Sequence, residues 1–248
     1  MSKEQVAPEL VSKEQVAPDQ VPAGQVTPDE AGPDRAGPDH AGPEQVRPEQ
    51  AAQHYFTASP AAAHRPGLVQ VVLPDLHFEC VTDAGVFSPG RLDPGSRVLL
   101  ETVPPPPARG DLLDLGTGYG PIALAMAARA PEATVWAVDI NERALGLCAA
   151  NAARAGLGNV RCVPPGDPGL PGQFAAIWSN PPIRIGKAAL HGMLSGWLGR
   201  LAPGGQAHLV VQRNLGADSL QRWLQAGGWP ATRIGSRSGY RVLQVTPR

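Results

Sequence analysis

The 248-residue chain is 42% hydrophobic and carries a net charge of −1. It has no apolar run near the roughly 20 residues that a membrane-spanning helix needs, and no signal-peptide core at its start. Its three cysteines, Cys80, Cys148 and Cys162, form no CxxC pair, which argues for reduced thiols in the cytoplasm rather than a disulfide framework, with no metal expected.

The first fifty residues differ from the rest. QVAP stands at 5–8 and 15–18, QVTP at 25–28, AGPD at 31–34 and 36–39, and AGPE at 41–44. With recurrent proline and no aromatic residue, this stretch cannot bury enough apolar surface to offset the entropy of ordering. It is expected to be a disordered acidic tail over 1–50. Its repeats are too short and too polar for a solenoid. Residues 51–248 are expected to form one α/β domain, with an N-terminal hairpin and helix over 51–108 and a core over 109–248. The tail holds four basic and ten acidic side chains; the remainder holds seventeen basic and twelve acidic, all of the basic ones Arg except Lys187. A mildly basic, Arg-dominated domain suits a phosphate-rich partner; the acidic tail is either a solubilising appendage or a weak competitor with such a partner at low salt.

In chain order, LVQVVL at 68–73 and LHFECV at 76–81 flank Pro74-Asp75 and predict a small β-hairpin. Asp93 as N-cap and Pro94 in the first turn start a short helix, which the four prolines at 104–107 stop. Strand patterns at 111–115, 133–138, 159–163, 174–179 and 206–211 then alternate with helical patterns at 120–130, 141–155, 187–201 and 217–226. Asn141 and Asp218 are the expected N-caps, and Gly156 and Gly204 the expected helix ends. The alternation predicts a doubly wound, mostly parallel sheet with helices on both faces. The last two strand patterns, 231–235 and 240–245, are joined by Ser236-Arg-Ser-Gly239. That link is too short for a helical crossover, so an antiparallel C-terminal hairpin is expected. A Rossmann-like sheet ending in such a hairpin is the arrangement of class I methyltransferases.

Two motifs carry the chemistry. Asp114-Leu-Gly-Thr-Gly-Tyr-Gly120 follows the first core strand, where glycine lets backbone turn sharply and approach a ligand. Its GxGxG spacing differs from the GxGxxG of pyrophosphate-binding dehydrogenases and points to a cofactor without a pyrophosphate, S-adenosylmethionine. Gly116 and Gly118 would lie against it, and Asp114 would meet its amino acid end. Asp139, closing the next strand, would accept from the ribose hydroxyls. Asp167 is either an adenine contact or a simple turn residue in its proline-rich loop.

The second motif, Asn180-Pro181-Pro182-Ile183, follows the strand at 174–179. A planar amine is a poor nucleophile because its lone pair is delocalised. If the Asn180 side-chain oxygen and the Pro181 carbonyl accept its two N–H bonds, the nitrogen is biased toward a tetrahedral shape and its lone pair turns outward. Consecutive prolines stiffen the segment. Ile183 would cover a flipped-out base, and Arg184 and Lys187, near a helix N-terminus, would favour phosphate.

GVFS at 85–88, LDPGSRVLL at 92–100, LDLGTGYG at 113–120 and SNPPIRIGK at 179–187 together resemble the RsmC-type, or small-domain, methyltransferases, from His54-Tyr55-Phe56 to the C-terminus. The resemblance implies N2 methylation of a guanine in 16S rRNA, as free rRNA or in the small ribosomal subunit. It also implies cofactor contacts at Asp114, Gly116, Gly118, Asp139 and Asn180. Asn180, Pro181, Pro182 and Ile183 would hold the guanine, and Phe87 and Ser88 would lie over the pocket. The chain departs from the family in carrying an acidic tail where some relatives have a second domain, and NPPI in place of the aromatic NPPF. The alternatives are a protein glutamine methyltransferase, whose acceptor amide is also planar, and a non-catalytic RNA-binding assembly factor.

Overall fold

A computed structural model describes residues 63–88 and 90–248. The tail, its boundary at residue 50, and His54, Tyr55 and Phe56 lie outside the described residues.

The first two strands, β1 (Gly67–Val72) and β2 (His77–Thr82), pair antiparallel with Leu68 opposite Val81 and Val71 opposite Phe78. Alternation buries Val69, Val71 and Cys80 and leaves Leu68 and Val72 exposed. Helix α1 (Pro94–Thr102) starts where Asp93 accepts from the Ser96 N–H and stops at Val103, ahead of the prolines.

The remaining strands are β3 (Arg109–Leu115), β4 (Glu132–Val138), β5 (Val160–Val163), β6 (Phe174–Ser179), β7 (Leu201–Gln212), β8 (Ala231–Arg237) and β9 (Tyr240–Val245). They form one seven-stranded sheet in the order β5-β4-β3-β6-β7-β9-β8. The first five pair parallel, while β9 runs antiparallel to both β7 and β8. Ser238 and Gly239, both at positive φ, make the two-residue turn that closes the β8–β9 hairpin, the backbone that such a tight hairpin requires.

Helices α2 (Pro121–Arg129), α3 (Glu142–Arg154), α4 (Lys187–Leu198) and α5 (Ala217–Ala226) cover the sheet. Alternate residues of each strand feed two cores. Leu112, Val135 and Trp178 join α1, α2, α3 and the β1–β2 hairpin, whereas Leu113, Ile177 and Leu209 join α4 and α5. Asn141 caps α3 as expected, accepting from the N–H groups of Arg143 and Ala144. Asn151, wholly buried on α3, accepts from the Val81 N–H (2.7 Å) and donates to the carbonyls of Val81 and Tyr119 (2.8 Å each).

Two expected boundaries are corrected. Gly204 does not end a helix: α4 stops at Leu198, with Gly199 as its cap, and β7 already begins at Leu201. The register of β6 against β7 shifts between Phe174 and Ala176, and there Gly205 lies so close to the carbonyls of Phe174, Ala175 and Ala202 that a Cβ would stand about 3 Å from each. Close backbone approach explains Gly205, and a left-handed backbone (φ +77°) explains Gly204; neither ends a helix. Asp218 does not cap α5 either. The cap is Gly216 in the left-handed region, and Asp218 sits inside the first turn, ion-paired with Arg241.

β3 lies between β4 and β6, so the chain crosses to opposite sides of β3 in the two halves of the sheet. The loops after β3 and β6 therefore diverge and open a crevice at the strands' carboxyl ends.

Candidate functional site

A cleft of about 710 Å³ occupies that crevice. One end is floored by the loop after β3. Gly116 (φ +78°) and Gly118 (φ +57°) line it, and a Cβ on either would meet nothing within 4 Å. Their left-handed backbone keeps the loop bare and the space above it open. Gly120 serves packing instead. At φ +99°, a Cβ there would stand 2.7 Å from Cys148 Sγ, so it lets α2 start tight against α3.

Two carboxylates fasten this loop. Asp114 is fully buried; its Oδ2 accepts from Thr117 Oγ1 (2.6 Å) and the Ala123 N–H (2.9 Å), while Oδ1 has no partner among the described residues. Burial pushes its carboxyl up to about 7. Asp139 lines the cleft, where its Oδ2 accepts from the Gly118 N–H and its Oδ1 from the Asn141 N–H, both at 2.9 Å. Desolvation outweighs these bonds and raises its pKa. Ile140 and Pro165 also line this end.

The other end is built by Asn180, Pro181, Pro182, Ile183 and Arg184, all in the cleft wall. Asn180 Nδ2 donates to Asp93 Oδ1 (2.7 Å) and lies 3.1 Å from Ser96 Oγ. Both amide protons are thereby directed at α1, and Oδ1 is the group left to accept. The Pro181 carbonyl already accepts from the Ile183 N–H (2.9 Å), which leaves it one lone pair. Ile183 opens a single 3₁₀ turn, Ile183–Ile185, ahead of α4. Gln212, Leu215 and Tyr240 complete the wall from the far side of the sheet.

Phe87 reaches the cleft from the loop between β2 and α1 and stays half-exposed. Asn141 Nδ2 holds the Gly85 carbonyl of this loop (2.9 Å), and Arg143 holds that of Ala84 (2.7 Å). Ser88 adopts φ +56°, a costly conformation for a residue with a side chain.

Residues 77–244 match the methyltransferase small domain family. The chain belongs to that family. Among its relatives, the uncharacterized protein YbxB of Bacillus subtilis (strain 168) is 31% identical over 197 residues, covering 78% of this chain and 98% of YbxB. The ribosomal RNA small subunit methyltransferase C of Ectopseudomonas mendocina is 32% identical over 194 residues, covering 75% of this chain and 57% of that protein. The solved structure of the 16S rRNA N2 methyltransferase RsmC from T. thermophilus, in complex with AdoMet and guanosine, superposes with a TM-score of 0.63 at 25% identity, covering 76% of this chain and 52% of that one. The chain thus spans a little over half the length of these two rRNA-modifying relatives.

Within this member of the family, the structure brings Gly116, Gly118, Asp139, Asn180, Pro181, Pro182, Ile183, Phe87 and Arg184 into one cleft. Three expected residues stand apart. Asp114, expected to meet the cofactor, is fully buried and outside the cleft lining, where it accepts from Thr117 Oγ1 and the Ala123 N–H. Asp167 is outside the cleft lining; its Oδ1 accepts from the Gly169 N–H (2.7 Å), the turn role its proline-rich setting allows. Lys187 begins α4 on the exposed surface, also outside the lining. The residues present fit S-adenosylmethionine: bare backbone at Gly116 and Gly118, an acceptor at Asp139, and apolar cover from Ile140.

Sequence reading missed Asp93, Ser96, Tyr240 and Leu215 as parts of the site. Asp93 and Ser96 were visible as a helix start and as part of the 92–100 block, although a cap followed at i+3 by Ser already places two acceptors side by side. Tyr240 and Leu215 carry no local signal, since only the strand order brings them to the cleft. Among the described residues, no helix is long and apolar enough to cross a membrane, and no cluster of His, Cys, Asp or Glu is arranged to hold a metal ion.

Proposed function

We propose that this chain transfers a methyl group from S-adenosylmethionine to the exocyclic N2 amine of a guanine in 16S ribosomal RNA, acting in the cytoplasm. The observation that carries this reading is the Asn180 amide, its nitrogen turned to Asp93 and its oxygen free, in the same cleft as the glycine loop.

When bound, the cofactor supplies an electrophilic methyl group on a sulfonium centre. The chain's own residues prepare the acceptor. Asn180 Oδ1 and the remaining lone pair of the Pro181 carbonyl take the two N–H bonds of the amine. This pulls the nitrogen out of conjugation and aims its lone pair along the cleft toward Gly116 and Gly118. Well-oriented reactants gain roughly 7–11 kcal/mol in this way, and the ammonium product sheds its proton without a strong base. Ile183 covers one face of the base, and Phe87 supplies an aromatic surface from the neighbouring loop. Asp139 would hold the ribose hydroxyls, and Ile140 and Pro165 would give the adenine apolar cover.

The target nucleotide must leave its stack to reach the cleft. Arg184 stands in the cleft wall. Arg91 precedes α1, and Arg213 lies between the lining residues Gln212 and Leu215. All three are exposed, and none is ion-paired among the described residues. They are placed to grip the flanking phosphates.

The test is to supply methyl-labelled cofactor with small ribosomal subunits, bare 16S rRNA or release factors. Label at a guanine N2 of the rRNA is the expected result. Label confined to release-factor glutamine, or no transfer to any acceptor, overturns the proposal.

A further inference from the structure

Asp93 does more than the helix start requires. Its Oδ1 accepts from the Ser96 N–H at 2.9 Å, which is the capping bond, and from Asn180 Nδ2 at 2.7 Å, across 87 residues of sequence. Asp93 also lines the cleft. A carboxylate only accepts, so the amide edge that faces it must be the nitrogen. That settles which way the Asn180 amide points. Ser96 Oγ, 3.1 Å from the same nitrogen, meets its second proton. The backbone is shaped to allow this: a Cβ on Gly95 would stand 3.0 Å from Asp93 Oδ1 and 2.8 Å from Tyr240 Cε1.

We propose that Asp93 is a positioning residue for methyl transfer, holding the Asn180 amide with its oxygen toward the acceptor amine. The proposal rests on the N2-methyltransferase reading above. Turned the other way, Asn180 would present N–H bonds to the N–H bonds of its substrate, and the two sets of donors would repel.

Capping and positioning make different demands. Asp, Asn and Ser cap a helix about equally well. Only Asp and Asn have the reach to keep an acceptor on Asn180 as well. The experiment compares full-length wild type with Asp93→Asn and Asp93→Ser by thermal melting, cofactor titration and single-turnover methylation of the small-subunit rRNA. The Asn180 side-chain amide is followed by ¹H–¹⁵N NMR. The three proteins should melt alike and bind S-adenosylmethionine alike, with KM for RNA unchanged. The methylation rate should hold in Asp93→Asn and fall about 100-fold in Asp93→Ser, the scale of a misplaced reacting group. The Asn180 amide protons should exchange slowly in the first two proteins and rapidly in Asp93→Ser. Wild-type turnover in Asp93→Ser, or cofactor affinity falling in step with rate, overturns the proposal. A wild type that labels no RNA overturns the methyl-transfer reading instead, and amide exchange then decides separately whether Asp93 holds Asn180.

Discussion

The two ends of the cleft are built from different materials. At the glycine-loop end the binding surface is backbone, held by Asp114 from the strand that precedes it and by Asp139 from the end of the adjacent strand β4. At the Asn180 end the binding surface is side chain, held by α1, a helix 87 residues earlier in the sequence. Backbone sites are hard to retune because their geometry is the fold itself. Side-chain sites change with single substitutions, and NPPI in place of an aromatic motif is such a change. Damage to the first end should therefore appear mainly as lost stability, and damage to the second mainly as lost turnover.

The largest expected effect tests the second half of that contrast. Asn180→Ala should lower the methylation rate by about 10²–10³, as removal of one oriented polar group does elsewhere, with cofactor affinity and melting temperature held. Isothermal titration beside single-turnover kinetics checks this, and parallel loss of both would erase the distinction.

Gly120→Ala probes the other end. Left-handed backbone costs roughly 1–2 kcal/mol, and a Cβ standing 2.7 Å from Cys148 Sγ adds overpacking of about 1–3 kcal/mol. The loss should register in urea denaturation, while the fraction still folded turns over normally.

Asp114→Asn sharpens the same point through pH. Burial raises the folded carboxyl to about 7 from its ordinary value of 3.8. The folded chain thus keeps a proton that the unfolded chain releases. The wild type's stability relative to the variant should be greatest below pH 4, decline as pH rises toward 7, and level off above it. Denaturation midpoints measured from pH 4 to 8 would show that slope. A flat difference would mean that the carboxylate is not as desolvated as its position requires.

The smallest effect is on RNA affinity. Arg213→Ala should weaken RNA binding uniformly across sequences and reduce the salt slope of binding by about one phosphate contact, with cofactor affinity untouched. Filter binding across a salt series measures it.

The fold was largely legible because its signals are local. The strand at 174–179, the Asp93 and Asn141 caps and the hairpin around Pro74-Asp75 each depend on neighbours in sequence. Gly204 and Asp218 misled because glycine and aspartate serve several backbone roles, and only the register shift at Ala176 and the left-handed Gly216 tell which applies. The same limit holds in the cleft. Gly116, Gly118 and Asp139 follow from a strand–turn–helix pattern. Whether Asp114 faces the cleft or lies under it depends on the packing of α2, which no local pattern encodes.

Asn151 has a consequence for solubility. A two-stranded sheet such as β1–β2 presents open edges, and an open edge invites pairing with other chains. The Asn151 amide satisfies the N–H and the carbonyl of Val81 together, as a neighbouring strand would. One side chain thus blunts the hairpin against aggregation at that point, and it does so from a helix that also steadies the turn at Tyr119.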